Sequence, residues 1–230
     1  MPVYRLNRKL AFPSPTMAES DGLLAVGGDL SSARILLAYS MGIFPWYSEG
    51  QPILWWSPDP RCVLDLRDFY VSRRLRRVLN QGRFRVTFDE DFRSVIRACA
   101  SIKRPGQEGT WITSDMERAY VNLYEMGLAH SVESWLGEHL VGGIYGIALG
   151  RGFFGESMFH YETDASKIAL AGLVQRLVGL GFHFIDAQVT TSHMLRLGAK
   201  EVSRGVFLKS VRGALRYPTR RASWKSPTET

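Results

Sequence analysis

Two cysteines, Cys62 and Cys99, and five histidines leave this chain poor in metal-binding side chains. Neither set falls at the spacings that hold a tetrahedral ion, and two isolated cysteines make no redox motif. No stretch reaches the ~18 uninterrupted apolar residues of a membrane-spanning helix. The opening MPVYRLNRKLAFPSP lacks the apolar run of a secretory signal. The expectation is a reduced, cytoplasmic, soluble protein with no metal. A covalent nucleophile is missing too. Gly155-Glu156-Ser157-Met158-Phe159 lacks the second glycine of a nucleophile elbow, so Ser157 reads as structural.

What is present is enough apolar material for a substantial core, at 45% hydrophobic and 12% aromatic residues, and an uneven charge. Residues 61–105 carry twelve basic against five acidic side chains, and residues 203–230 carry seven against one. Residues 106–202 reverse this, with six against eleven, and residues 1–60 are nearly balanced. Two basic regions flank an acidic middle. Clustered cations bind phosphate backbones through counterion release, so a nucleic-acid partner is expected.

Residues 1–60 are dense in turn signals (FPSP, Gly27-Gly28-Asp29, FPWYSEGQP, SPDP), with one helix at 30–41 that Asp29, Ser31 or Ser32 can cap. Beyond Arg61 the pattern is regular. It predicts strands at 63–66 and 84–88, a basic helix at 71–79, a helix at 91–100, a loop at Pro105 and Gly106, and a helix at 114–126 capped by Ser114. The sequence divides as a small layer at 1–60, a mixed α/β (α+β) domain at 61–217, and a basic, frayed tail at 218–230.

Residues 130–188 are the most informative. A strand–turn–strand punctuated by glycines leads into a helix at 165–180, with Ile168, Leu170, Leu173, Val174 and Leu177 on its apolar face. A strand ending on Asp186 and Gln188 follows. These two are two apart, so their side chains leave one face, and Phe182 and Phe184 share that parity. An acid and an amide are awkward in a core, because unpaired burial costs roughly 1–3 kcal/mol or more. A strand end opening onto a crevice resolves this; a solvated strand terminus is the bland alternative. Arg176-Leu-Val-Gly179-Leu-Gly181 imitates a coenzyme A pyrophosphate loop. It falls at the end of the helix, where carbonyls face outward, and reads instead as a helix stop. A short helix at 191–197 and a strand at 202–206 follow. Trp46 and Trp111 sit in polar, turn-like contexts, suited either to stacking on bases or to packing between layers.

The segments GLLAVGGDLS, GIFPWYS, PILWWSPDPR, EGTWIT, GLAHSVESW, LVGGIYGIALG, FFGESMF, ASKIAL, FIDAQ and LGAKEVSR run in order along the chain. In them the sequence resembles the bacterial leucyl/phenylalanyl-tRNA–protein transferase family. The resemblance implies a GNAT-like acyltransferase domain with a mixed sheet behind a small N-terminal domain, working without a cofactor. It implies transfer of Leu or Phe, sometimes Met, from aminoacyl-tRNA to proteins with N-terminal Arg or Lys, marking them for degradation. It also implies roles. Asp186 and Gln188 are the catalytic pair and Glu156 lines their site; Trp46 and Trp111 hold the terminal adenosine. Ile144, Phe153, Met158, Leu170 and Leu173 line the pocket for the transferred side chain. The sequence departs from the family at Ala187, Ile144 and Leu173, where Cys, Met and Phe are expected.

The chemistry fits these residues. An aminoacyl ester is already activated, so neither nucleophile nor metal is required. The attacking α-amine, with a pKa of about 7.7–8.0, needs only mild assistance. A Gln188 carbonyl oriented by Asp186 can aim it. Arg73, Arg74, Arg76 and Arg77 suit an acceptor stem, and the acidic middle suits a cationic peptide. Strand parity puts Phe153 and Met158 on opposite faces, so one pocket lined by both demands a bulge near Gly155. Two rivals stand: a coenzyme A–dependent acetyltransferase of the same fold, and a non-catalytic RNA-binding module.

Overall fold

The computed structural model describes residues 3–102 and 110–225. The loop expected at Pro105 and Gly106 lies outside them. The N-terminal layer holds β1 (Tyr4–Leu6), β2 (Leu23–Gly27), α1 (Ser32–Ser40), β3 (Phe44–Pro45) and β4 (Leu54–Trp56). Its strands form a sheet in the order β1-β2-β4-β3. Ser31 caps α1 by accepting the Arg34 N–H.

The second part opens with β5 (Arg61–Asp65), α2 (Arg73–Asn80), β6 (Arg85–Phe88), α3 (Phe92–Ser101) and α4 (Ser114–Glu125). Three long strands follow, β7 (Ala129–Leu136), β8 (His139–Leu149) and β9 (Gly152–His160), where the glycine punctuation had suggested two. The chain ends with α5 (Ala165–Gly179), β10 (Phe184–Gln188), α6 (Ser192–Arg196), β11 (Lys200–Val202) and α7 (Arg204–Ala214). Thr113, not Ser114, caps α4, its hydroxyl accepting the Met116 N–H.

The larger sheet has seven strands in the order β11-β5-β10-β9-β8-β7-β6. All neighbours are antiparallel except β9 and β10, which are parallel and joined through α5. This is a mixed α/β architecture with a mixed sheet. Period-two alternation feeds both faces, as a strand requires when each side is covered. Ile144, Phe153 and Ile185 pack towards α5 and α2, whereas Tyr145, Phe154 and Phe184 pack with the N-terminal layer and α7. Among the described residues no helix is long and apolar enough to cross a membrane.

Three expectations need correction. The strand at 202–206 is a three-residue β11 followed by α7. Ser203 caps that helix, and Phe207, Leu208, Val211 and Ala214 bury its face, a helical spacing that the local Val-Phe-Leu run obscures. Phe182 precedes β10 and does not share the environment of Phe184. It packs beside Trp224 on the α5 side, while Phe184 meets Phe154 and Phe207 on the other.

The tail is the third correction. Its described part is docked through Trp224, because one large aromatic outweighs the surrounding polar composition. The indole is buried, lies parallel to the His130 ring at 3.9 Å, and closes on Phe153 and Phe182. Its backbone N–H donates to Asp89 Oδ2 at 2.6 Å, and its carbonyl accepts from Arg176. Thr219 accepts the Gly150 N–H on the way. Trp224→Ala should therefore cost about 3–5 kcal/mol, as large-to-small core changes do. Urea unfolding measures it, and a loss below about 1 kcal/mol would return the tail to the frayed state that its composition suggests.

Candidate active site

β10 brings an acid and an amide into the interior, and the residues around them explain how. Asp186 is fully buried and paired with Arg61 of β5, which is equally buried. The pair is bidentate: Arg61 Nε donates to Oδ1 at 2.8 Å and Nη2 to Oδ2 at 2.7 Å. The guanidinium is held between the rings of Phe44 and Phe207, 4.7 and 4.5 Å from their centroids, and also donates to the Gly42 carbonyl. Gly42, with φ of 73°, turns the chain where a Cβ would press against Leu208 and Phe207.

Asp186 Oδ1 also accepts the backbone N–H of Gln188 at 2.9 Å. That bond spans an irregularity in the β5–β10 register, and Gln188 adopts a left-handed φ of 61°. Such a conformation in a non-glycine residue costs energy and persists only where its surroundings impose it. Here it turns the Gln188 amide inward, and Nε2 donates to Glu156 Oε1 at 3.0 Å.

Glu156 reaches the same point from β9 through a bulge. Gly146 pairs with Gly155 and Tyr145 with Ser157, leaving Glu156 as the extra residue. Gly146 permits it: a Cβ there would collide with the Phe154 carbonyl and lie 2.7 Å from the Phe153 ring. The parity argument placed a bulge near Gly155, and one is there.

The Glu156 carboxylate, 9% exposed, accepts the Tyr39 hydroxyl at 2.6 Å, the Tyr120 hydroxyl at 2.8 Å and the Gln188 amide. The two tyrosines are themselves 2.7 Å apart. Burial raises the Glu156 carboxyl to about 7, against the downward pull of the tyrosine hydroxyls; Asp186 adds to the rise and Arg61 opposes it. Both tyrosines are pushed well above 10 by burial, with the Glu156 charge adding to it, so they act as neutral donors. Cys62, opposite Gln188 on β5, is held as an inert thiol by burial and by Asp186.

Glu156 also opens onto an elongated cavity of about 290 Å³ on the α5 side of the sheet. Ile144, Met158 and Leu170 form its apolar wall with Ile185, Ala187 and Met194. Trp111 stands at its edge, and His193 belongs both to this cavity and to a neighbouring cationic groove with Arg74, Lys167 and Arg196. Phe153 and Leu173 are fully buried behind the cavity and do not line it. Trp46, 41% exposed, packs on Trp56 in the N-terminal layer and does not line the cavity either.

The helix termini decide one rival. At the start of α5, Asp164 occupies the cap position with its carboxylate bound to Lys167 at 2.5 Å and Arg74 at 3.4 Å. No glycine-rich loop precedes this helix start, and the acidic side chain beside it repels a pyrophosphate. At the other end Gly181, with φ of 77°, donates to the Val178 carbonyl, so Gly179 and Gly181 close the helix.

The strand pattern pointed to Asp186 and Gln188 and the resemblance added Glu156; the structure brings the three together. Neither pointed to Arg61, Tyr39 or Tyr120. Arg61 ends the PILWWSPDPR segment, where an arginine has no local partner to betray it. The tyrosines fall on the apolar faces of α1 and α4 and read as core.

Residues 63–212 match the family model of the leucyl/phenylalanyl-tRNA protein transferases, and residues 28–59 match that of their N-terminal domain. A leucyl/phenylalanyl-tRNA–protein transferase of Oleidesulfovibrio alaskensis is 55% identical over 99% of this chain and 94% of its own length. One of Desulfatibacillum aliphaticivorans is 53% identical over 100% and 98%. One of Syntrophotalea carbinolica is 56% identical over 95% of each.

The raised Glu156 value has a consequence for stability. Between its ordinary value of 4.5 and about 7, the unfolded chain releases this proton while the folded protein retains it. The folded state therefore loses up to roughly 3 kcal/mol of relative stability as pH rises through that window. Glu156→Gln abolishes the titration, so its stability relative to wild type should rise from about pH 5 to about pH 7.5 in urea unfolding. A pH-independent difference would mean that the carboxyl titrates normally.

Proposed function

The chain belongs to the leucyl/phenylalanyl-tRNA–protein transferase family and is an aminoacyltransferase, and from that premise we propose the finer reading. It transfers Leu or Phe, and sometimes Met, from aminoacyl-tRNA to the α-amine of proteins beginning with Arg or Lys. The product is marked for degradation in the cytoplasm. Residues 61–217 carry the reaction on a GNAT-like scaffold, and residues 1–60 form the smaller domain. The observation that supports this best is the apolar cavity ending on Glu156, to which the Gln188 amide is hydrogen-bonded.

The amino-acid side chain occupies the cavity between Ile144, Met158 and Leu170, which places its ester carbonyl near Glu156. A carboxylate offers about four acceptor positions. Tyr39, Tyr120 and Gln188 use three, and the fourth, on Oε2, receives a proton from the attacking amine. A base poised near neutrality suits that task. The Gln188 carbonyl, its amide nitrogen fixed on Glu156, aims the amine at the ester carbon. The new amide bond forms as the bond to the 3′ oxygen breaks, and the proton lost by the amine replaces the acyl group there. Asp186 touches no substrate. It is a positioning residue, acting through Arg61 and the Gln188 backbone.

Arg73, Arg74, Arg76 and Arg77 project from α2 into solvent around the buried Leu75, and Arg74 reaches the groove beside the cavity. We assign them to the acceptor-stem phosphates. Trp111 and Trp46 are assigned to the terminal adenosine, Trp111 from the cavity edge. Tyr47, next to Trp46, meets Thr113 at 3.3 Å, which draws the two tryptophan-bearing segments together. Neither rival explains these features: the acetyltransferase lacks a phosphate cradle, and a passive RNA module has no use for a buried glutamate near pH 7.

Incubation with leucyl-tRNA and a peptide beginning with Arg should yield the Leu-extended peptide, while an N-acetylated peptide should yield none. Gln188→Ala should lower the single-turnover rate about 100-fold or more while tRNA affinity changes less than about threefold. Equal losses in both would move Gln188 out of the chemistry. Replacing the four α2 arginines by Ala should flatten the dependence of log K for tRNA on log salt by up to about 3.6, at about 0.9 for each neutralised phosphate. An unchanged slope would place the acceptor stem elsewhere.

A further inference from the structure

His193 lies in α6 at the seam between two concavities, lining both the acyl cavity and the groove of Arg74, Lys167 and Arg196. Its Nε2 is buried and has no hydrogen-bond partner. A buried ring nitrogen without a partner is costly, and a bound group that supplies the missing hydrogen bond recovers that cost. We propose that His193 binds the 2′-hydroxyl of the terminal ribose of the aminoacyl-tRNA, an inference that rests on the transferase reading.

Three arguments converge on this ligand. The first is topological. On the reading above, the acyl chain fills the cavity, the phosphates lie in the cationic groove, and the base stacks on tryptophan. The ribose is the one unit covalently joined to all three, so it must occupy the seam. The second is charge. Burial, followed by the neighbouring Lys167, Arg196 and His160, holds the imidazole below its ordinary value and therefore neutral. A phosphate would go to Lys167 and Arg196 before a neutral ring. The third is hydrogen bonding. A neutral imidazole presents Nε2 as a donor in one tautomer and an acceptor in the other. A hydroxyl satisfies both, whereas a phosphate or ester oxygen satisfies only one. His193 thus anchors the sugar next to the breaking bond and takes no proton during transfer.

The test uses two leucyl-tRNAs with the ester on the 3′ oxygen, one ending in adenosine and one in 2′-deoxyadenosine. Wild-type protein should transfer from the deoxy substrate about tenfold more slowly at sub-saturating concentration. His193→Ala should be slower than wild type on the ribose substrate and indifferent, within about twofold, to the missing hydroxyl. His193→Phe keeps the ring volume, removes both nitrogens, and should behave the same if the alanine variant does not fold. Variants that remain as sensitive to the deoxy change as wild type would overturn the assignment, as would a wild type that ignores the hydroxyl. Absence of transfer from either substrate by wild type would instead defeat the transferase reading itself.

Discussion

The buried pair of Arg61 and Asp186 is the constraint around which the active centre is organised. Removing two charges from water costs several kcal/mol per ion, and the attraction between them repays this only when geometry and remaining hydrogen bonds are nearly complete. Here both bridging contacts are under 3 Å, the Gly42 carbonyl takes a further guanidinium proton, and two aromatic faces cover the cation. Those faces come from distant places. Phe44 belongs to the N-terminal layer and Phe207 to α7, while the charges sit on adjacent strands of the large sheet. The pair therefore closes only when the N-terminal layer, the sheet and the last helix are all in place. That coupling accounts for the small layer packing into the same core as α3 and α4 and not standing apart.

Asp186 and Glu156 show how two neighbouring carboxylates are given different characters. Asp186 has a cation in direct contact. Glu156 has only neutral donors, and the charge of Asp186 nearby works against its ionisation. Two hydroxyls and an amide stabilise its charged form but do not offset its desolvation, so its carboxyl titrates near neutrality. On the proposed mechanism, the arginine-paired carboxylate fixes the scaffold and Glu156 exchanges the proton.

Much of this was legible in the sequence because the signals are local. The period of α5, the strand carrying Asp186 and Gln188 and the glycine helix stop follow from spacing alone; the bulge near Gly155 was required by the pocket the resemblance implied, and it is present although Phe153 does not line the cavity. What was not legible depends on partners far apart in the chain. Arg61 and Asp186 are 125 residues apart, and nothing near Arg61 announces a buried cation. Tyr39 and Tyr120 look like core residues, and they are; only the arrival of Glu156 gives their hydroxyls a task. Phe153 and Leu173 have the right composition for a pocket but lie one layer behind it, and depth within a core leaves no periodic trace. The α7 helix was hidden by a β-branched and aromatic run whose strand propensity yields to burial against β5. Trp224 was hidden by polar neighbours.

The charge pattern of the chain gains a direction from the fold. The second basic region is divided between the two sides of the large sheet. Leu75 of α2 and Trp224 of the tail pack on the α5 side, whereas the buried face of α7 packs on the opposite side. Only α2 lies beside the cavity, and there Asp164 divides the cations. Arg74 and Lys167 are held on its carboxylate, while Arg196 in the same groove has no acidic partner among the described residues. The cap itself is the Asp164 backbone carbonyl, which accepts the Lys167 and Ile168 N–H groups, while the carboxylate beside it disfavours a free anion at that helix end. Phosphates arriving from an extended chain can still be met by the outer cations, because those need no helix dipole to attract them. An aspartate at the helix start therefore works against a pyrophosphate seated at that helix end, while the exposed arginines of α2 suit, on the proposed reading, a polyanion laid along them.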